Sequence, residues 1–94
     1  MRKERAIPLN TALSILAEQA MDLLEKGHHL FIEYSPHVNW VTIYLHVGGW
    51  CGEDSKPPTV NRTAYLDENN MVPAKWMVET LREIRGAVAK AGQA

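Results

Sequence analysis

The stretch from Val38 to Val47 alternates two kinds of side chain with the period of a β-strand. Its odd positions are Asn39, Val41, Ile43, Leu45 and Val47; its even positions are Val38, Trp40, Thr42, Tyr44 and His46. Successive side chains on a strand point to opposite faces, so the aliphatic set lines a core while the even set lies on the other side. A core has no need of Trp, Tyr and His interleaved with Thr, whereas a surface that meets a partner uses all of them. The pattern points to an interaction surface and stops short of an activity.

The rest of the chain supplies what such a strand needs around it. From Leu9 to Lys26, Leu9, Ala12, Leu13, Leu16, Ala20 and Leu23 recur at helical spacing, with Asn10 or Thr11 as the expected cap and Gly27 as the stop. His29 to Tyr34 alternates again, and Ser35-Pro36-His37 turns it back into the long strand as an antiparallel hairpin. After a loop rich in glycine and proline, from Gly48 to Pro58, a third strand is expected over Val60–Leu66, then a turn at Asp67-Glu68-Asn69-Asn70. Pro73 suits the first turn of a closing helix whose apolar stripe is Ala74, Met77, Val78, Leu81, Ile84 and Val88. The order is helix, three strands, helix. Two amphipathic helices need one sheet face to cover, which predicts a two-layer α+β fold, αβββα, with the second sheet face open.

At 94 residues the chain has room for one domain, 1–94, with a flexible N-terminal segment at 1–8 and a frayed C-terminus at 92–94. Ten basic and eleven acidic side chains leave a net charge of −1, without the basic excess of a dedicated nucleic-acid binder. The only dense basic run is Arg2-Lys3-Glu4-Arg5, read as a solvated tail. Cys51 is the sole cysteine, so no internal disulfide forms. No stretch reaches the roughly 20 apolar residues of a membrane span, and no secretory signal is evident. A cytoplasmic protein with no membrane partner is expected.

Aligning the strands by their aliphatic sides leaves Phe31, Glu33, Trp40, Thr42, Tyr44, His46, Thr63 and Tyr65 for the open face. The aromatics suit a protein interface, either self-association as a homodimer or larger oligomer, or a grip on another protein. Stacking on unpaired bases uses the same residue types, but Lys and Arg are scarce beside them. Loops and the N-terminal segment folded over the face would make it ordinary core. Trp76 falls opposite Leu81 on a helical wheel, beside Glu79 and Glu83. There it either covers the preceding loop or, like Trp50, offers a second contact to a partner.

No catalytic or metal-binding constellation is expected. His28, His29, His37 and His46 lack convergent spacing: His28 and His29 point to opposite sides of a strand, His46 lies far along its neighbour, and His37 is a turn residue. Cys51 has no base fixed beside it, Glu53-Asp54 and Asp67-Glu68 are solvated loop acids, and Gly48-Gly49 with Gly52 lacks the lysine of a phosphate loop. A protein that is not an enzyme, with neither cofactor nor metal, is expected.

The helix–three strands–helix order is similar to the topology of double-stranded-RNA-binding domains. That family carries a lysine-rich motif at the start of its closing helix, where Pro73-Ala74-Lys75-Trp76 has one lysine. Tyr34-Ser35-Pro36-His37-Val38-Asn39-Trp40, continued by Tyr44 and Gly48-Gly49-Trp50, resembles small uncharacterised proteins of phages and prophages, as does Tyr65-Leu66-Asp67-Glu68-Asn69. These segments span about a quarter of the chain. The resemblance implies a phage accessory protein acting in the host cytoplasm, a class that includes inhibitors of host enzymes and of host immunity. It supplies no functional residue. The expectation is a small interaction protein binding a host protein or itself through Phe31, Trp40, Tyr44 and Tyr65, with Trp76 as a further contact. The alternative is a nucleic-acid-binding module stacking bases on the same face.

Overall fold

In the computed structural model, which describes residues 5–49 and 57–92, the chain runs β1 (Ala6–Pro8), α1 (Leu9–Glu25), β2 (His29–Ser35), β3 (Trp40–His46), β4 (Val60–Tyr65), β5 (Met71–Pro73) and α2 (Ala74–Ala91). The class is α+β, in the order helix, three-stranded antiparallel sheet, helix, with a two-stranded sheet added.

Helix α1 stops where its glycine allows it to. Gly27 takes φ 85°, a left-handed conformation that costs a side-chain-bearing residue about 1 kcal/mol or more. From there the Gly27 N–H donates to the Leu24 carbonyl at 3.1 Å and the His28 N–H to the Leu23 carbonyl at 2.8 Å. The paired bonds satisfy carbonyls left over at the helix end and turn the chain into β2. At the other end the cap is Pro8, which makes no side-chain capping bond, in place of the expected Asn10 or Thr11.

The β2–β3 hairpin closes at Ser35 opposite Trp40, with Asn39 at φ 57° in the left-handed region that Asn tolerates. The turn takes Val38 and Asn39 out of the ladder and Val47 already belongs to the turn that follows, so the expected ten-residue strand is the seven-residue β3. Strand β3 is central, paired with β2 on one side and β4 on the other. Its Leu45 carbonyl accepts from Thr59 N–H at 2.7 Å, and the carbonyl of Asn39, just before it, accepts from Leu66 N–H at 2.9 Å. Odd positions along β3 therefore turn their backbone groups toward β4, and even positions toward β2.

Val41, Ile43 and Leu45 are fully buried beneath the two helices, among Ala12 and Leu16 of α1 and Met77 and Ile84 of α2. Ile32 and Leu30 extend this layer from β2, Val60 and Ala64 from β4.

The small sheet corrects the expectation of a flexible segment for Ala6–Pro8, while residues 1–4, 93 and 94 lie outside the described residues. Ile7 lies opposite Val72, and the Arg5 carbonyl accepts from the N–H of Ala74 at the start of α2 at 2.9 Å. Asp67 sets up the second strand of this pair: its Oδ1 accepts from the N–H groups of Asn69 (2.9 Å) and Met71 (3.1 Å), while Asn70 takes φ 56°. Pro73 is the N-cap of α2 and not a residue of its first turn.

The buried face of α2 is rotated from the expected stripe. Trp76, Met77, Thr80 and Ile84 are buried, whereas Val78 is exposed. Thr80 is fully enclosed, and its Oγ1 has no hydrogen-bond partner among the described residues. A buried hydroxyl without a partner costs about 1–3 kcal/mol, so the isosteric Thr80→Val should stabilise the fold by about 1 kcal/mol. Urea unfolding followed by circular dichroism measures it; a lower midpoint for the variant would place a hydrogen bond on Thr80.

Candidate functional site

Both helices pack on the Val41–Ile43–Leu45 side, and among the described residues no helix lies on the other. The register arranges that other face. Phe31 lies opposite Tyr44, Glu33 opposite Thr42, and Ser35 opposite Trp40; across the next seam Trp40 lies opposite Tyr65, Thr42 opposite Thr63, and Tyr44 opposite Asn61. Four of the five predicted partner-binding residues thus fall as two cross-strand aromatic pairs, Phe31 with Tyr44 and Trp40 with Tyr65. Trp40 and Tyr44 are four residues apart on one strand, which separates the pairs by about 13 Å.

Between the pairs runs a polar belt. The Thr42 and Thr63 hydroxyls share a hydrogen bond of 2.7 Å, and Thr42 is buried. The Tyr44 hydroxyl donates to Glu33 Oε2 at 3.1 Å. That bond, with desolvation and the carboxylate charge adding to it, raises the Tyr44 pKa above its ordinary 10. Phe31, Glu33, Tyr44 and His46 line a shallow depression of about 210 Å³. Phe31 also meets two imidazoles edge to face, His46 with ring centres 5.7 Å apart and His29 at 6.4 Å.

Exposure is graded across this face. Tyr65 is 72% and Phe31 42% exposed, while Trp40 and Tyr44 are half-buried. Glu33 is the only Asp, Glu, Lys or Arg side chain that the three strands place there, because the alternation sends Arg62 to the helix side. An apolar, weakly charged surface with fixed aromatics can bury contact area at little conformational cost.

Two further expectations change. His29 and His46 are direct cross-strand partners, and not distant along neighbouring strands. Even so, the described residues contain no group of three or more His, Cys, Asp or Glu placed to hold a metal ion. His28 Nδ1 instead accepts the Gly48 N–H at 2.9 Å.

Trp76 is not presented for a partner: it is buried against the core, 9% exposed. The Arg62 guanidinium sits 5.9 Å from its ring centre and pairs with Glu79 at 3.3 Å and Glu83 at 3.4 Å. The two glutamates thus reach across to β4, with Arg62 and Trp76 beneath them. Trp50 and Cys51 lie outside the described residues. Among the described residues no helix is long and apolar enough to cross a membrane.

The chain matches no protein-family model, no curated protein and no solved structure.

Proposed function

We propose that this is a non-enzymatic interaction protein that binds a protein partner through the aromatic face of its sheet. One observation carries the proposal: the register sets two aromatic pairs on a sheet face that neither helix covers, with one carboxylate and no Lys or Arg from the strands. Base stacking on the same rings is the weaker alternative, since single-strand binders combine aromatic platforms with a basic groove. The resemblance to phage accessory proteins suggests a host protein as the partner, bound by occlusion.

Nuclease-treated capture from a host lysate tests this, with Tyr65→Ala beside the wild type. Tyr65 is mostly exposed, so its removal leaves folding almost unchanged. A protein retained by the wild type, lost with Tyr65→Ala and held through a rise in salt from about 50 to 200 mM is the expected result. Binding that appears only without nuclease and falls by orders of magnitude over that salt range would move the function to nucleic acid.

A further inference from the structure

Strand β2 ends the three-stranded sheet with an edge able to pair further. Even positions of β3 turn their backbone groups toward β2, where they meet His29, Phe31, Glu33 and Ser35. The N–H and C=O groups of Leu30, Ile32 and Tyr34 therefore point outward, away from the sheet. Edge strands are normally blunted by proline, lysine, a bulge or shortness. β2 has seven residues, with neither proline nor lysine, and it keeps a continuous one-to-one register with β3.

The surroundings of this edge are apolar. Between α1 and β2 lies a groove of about 400 Å³ whose lining includes Ala20, Met21, Leu24 and Leu30. Met21 is 66% and Leu24 56% exposed, high values for large apolar side chains on a helix.

We propose that a second copy of this chain adds its own β2 to the edge, antiparallel and centred on Ile32. Backbone parity with full pairing of the three outward residues selects that centre. With Ile32 opposite Ile32 of the second copy, Leu30 falls opposite Tyr34, and every outward N–H and C=O of these residues meets its complement. The charges agree with the same axis. Glu33 is the only Asp, Glu, Lys or Arg in β2, and it falls opposite Phe31 of the second copy instead of another Glu33. Its carboxylate is already engaged by Tyr44.

The two-fold axis is perpendicular to the sheet. Both α1 helices then lie on one side, where the Leu30 end of each groove lies beside Tyr34 of the other copy, and both aromatic faces lie on the other as one surface. A symmetric interface of this kind is self-complementary, as closed dimers require.

Sedimentation of the full chain over a concentration series tests the proposal. The wild type should run as a dimer that dissociates on dilution. Tyr34→Pro removes an outward N–H at an exposed position where an edge strand accepts proline, and Leu24→Lys charges the groove. Each should raise the dissociation constant by about tenfold or more while the circular dichroism spectrum stays native. Trp40→Ala should leave the dimer intact. Hydrogen exchange gives a second reading: the Ile32 and Tyr34 amides should be protected in the dimer and exchange rapidly in the diluted monomer. A wild type that stays monomeric to about 1 mM overturns the proposal. So does a dimer that survives both edge variants and is lost with Trp40→Ala, which would place self-association on the aromatic face. If only an extended peptide protects those amides, the occupant is another protein's strand, and the proposal of a second copy fails.

Discussion

Ile43→Ala should lower the stability of the folded chain by about 2–5 kcal/mol, the range for truncating a large aliphatic side chain in a core. Ile43 is fully buried at the middle of the central strand, opposite Ile32 on one side and Arg62 on the other. Both helices close over this layer, so neighbouring side chains have little freedom to fill the space that the truncation leaves. A domain of this size is stable by roughly 5–15 kcal/mol in total, so the loss is a large share of the whole. The urea midpoint should fall with the slope unchanged, the sign of lost stability without a change in what unfolds. Tyr65→Ala on the opposite face is the contrast, expected within about 0.5 kcal/mol of the wild type. A loss below about 1 kcal/mol for Ile43→Ala would mean that this residue is not at the centre of the core.

The two faces of that strand were legible in the sequence because alternation is a local property. Val41, Ile43 and Leu45 share one side wherever the strand sits, and a tight turn after Ser35 forces β2 to run beside it. Gly27 could be read as a helix stop for the same local reason. What failed depended on contacts distant in sequence. Ile7 and Val72 belong to strands of three residues each, too short to show a period, and only their pairing across the fold makes them a sheet. Trp76 was misplaced because Thr80 reads as polar, which moved the helical wheel toward Leu81 and Val78. In the fold Thr80 is enclosed, and the charged neighbours of Trp76 turn to Arg62 on a strand well before it in the chain. The register sets Phe31, Trp40, Tyr44 and Tyr65 on one sheet face, as alternation alone implies. Their division into two pairs about a threonine belt required the register, which side-chain periodicity alone does not contain.

Trp40→Ala should weaken the partner complex by about 2 kcal/mol or more, roughly 30-fold in dissociation constant, while the chain stays folded. Trp40 offers the largest ring on the open face. It is half-buried against its surroundings, so part of its rotamer freedom is already spent before any partner arrives. Tyr65 stands beside it across the β3–β4 seam, and the Thr42–Thr63 hydrogen bond holds the two strands together next to that pair. Truncating Trp40 at this cross-strand position should cost the monomer only about 0.2–1 kcal/mol, the value of a cross-strand pair. The two effects can therefore be separated by titrating the captured partner against variants whose thermal unfolding has first been measured. Phe31→Ala, at the far end of the face, distinguishes a broad footprint from a local one. If both variants weaken binding, the partner spans the two aromatic pairs and the polar belt between them. If the folded Trp40→Ala binds as tightly as the wild type, the Trp40–Tyr65 end is not the anchor, and contact must centre on Phe31 and Tyr44.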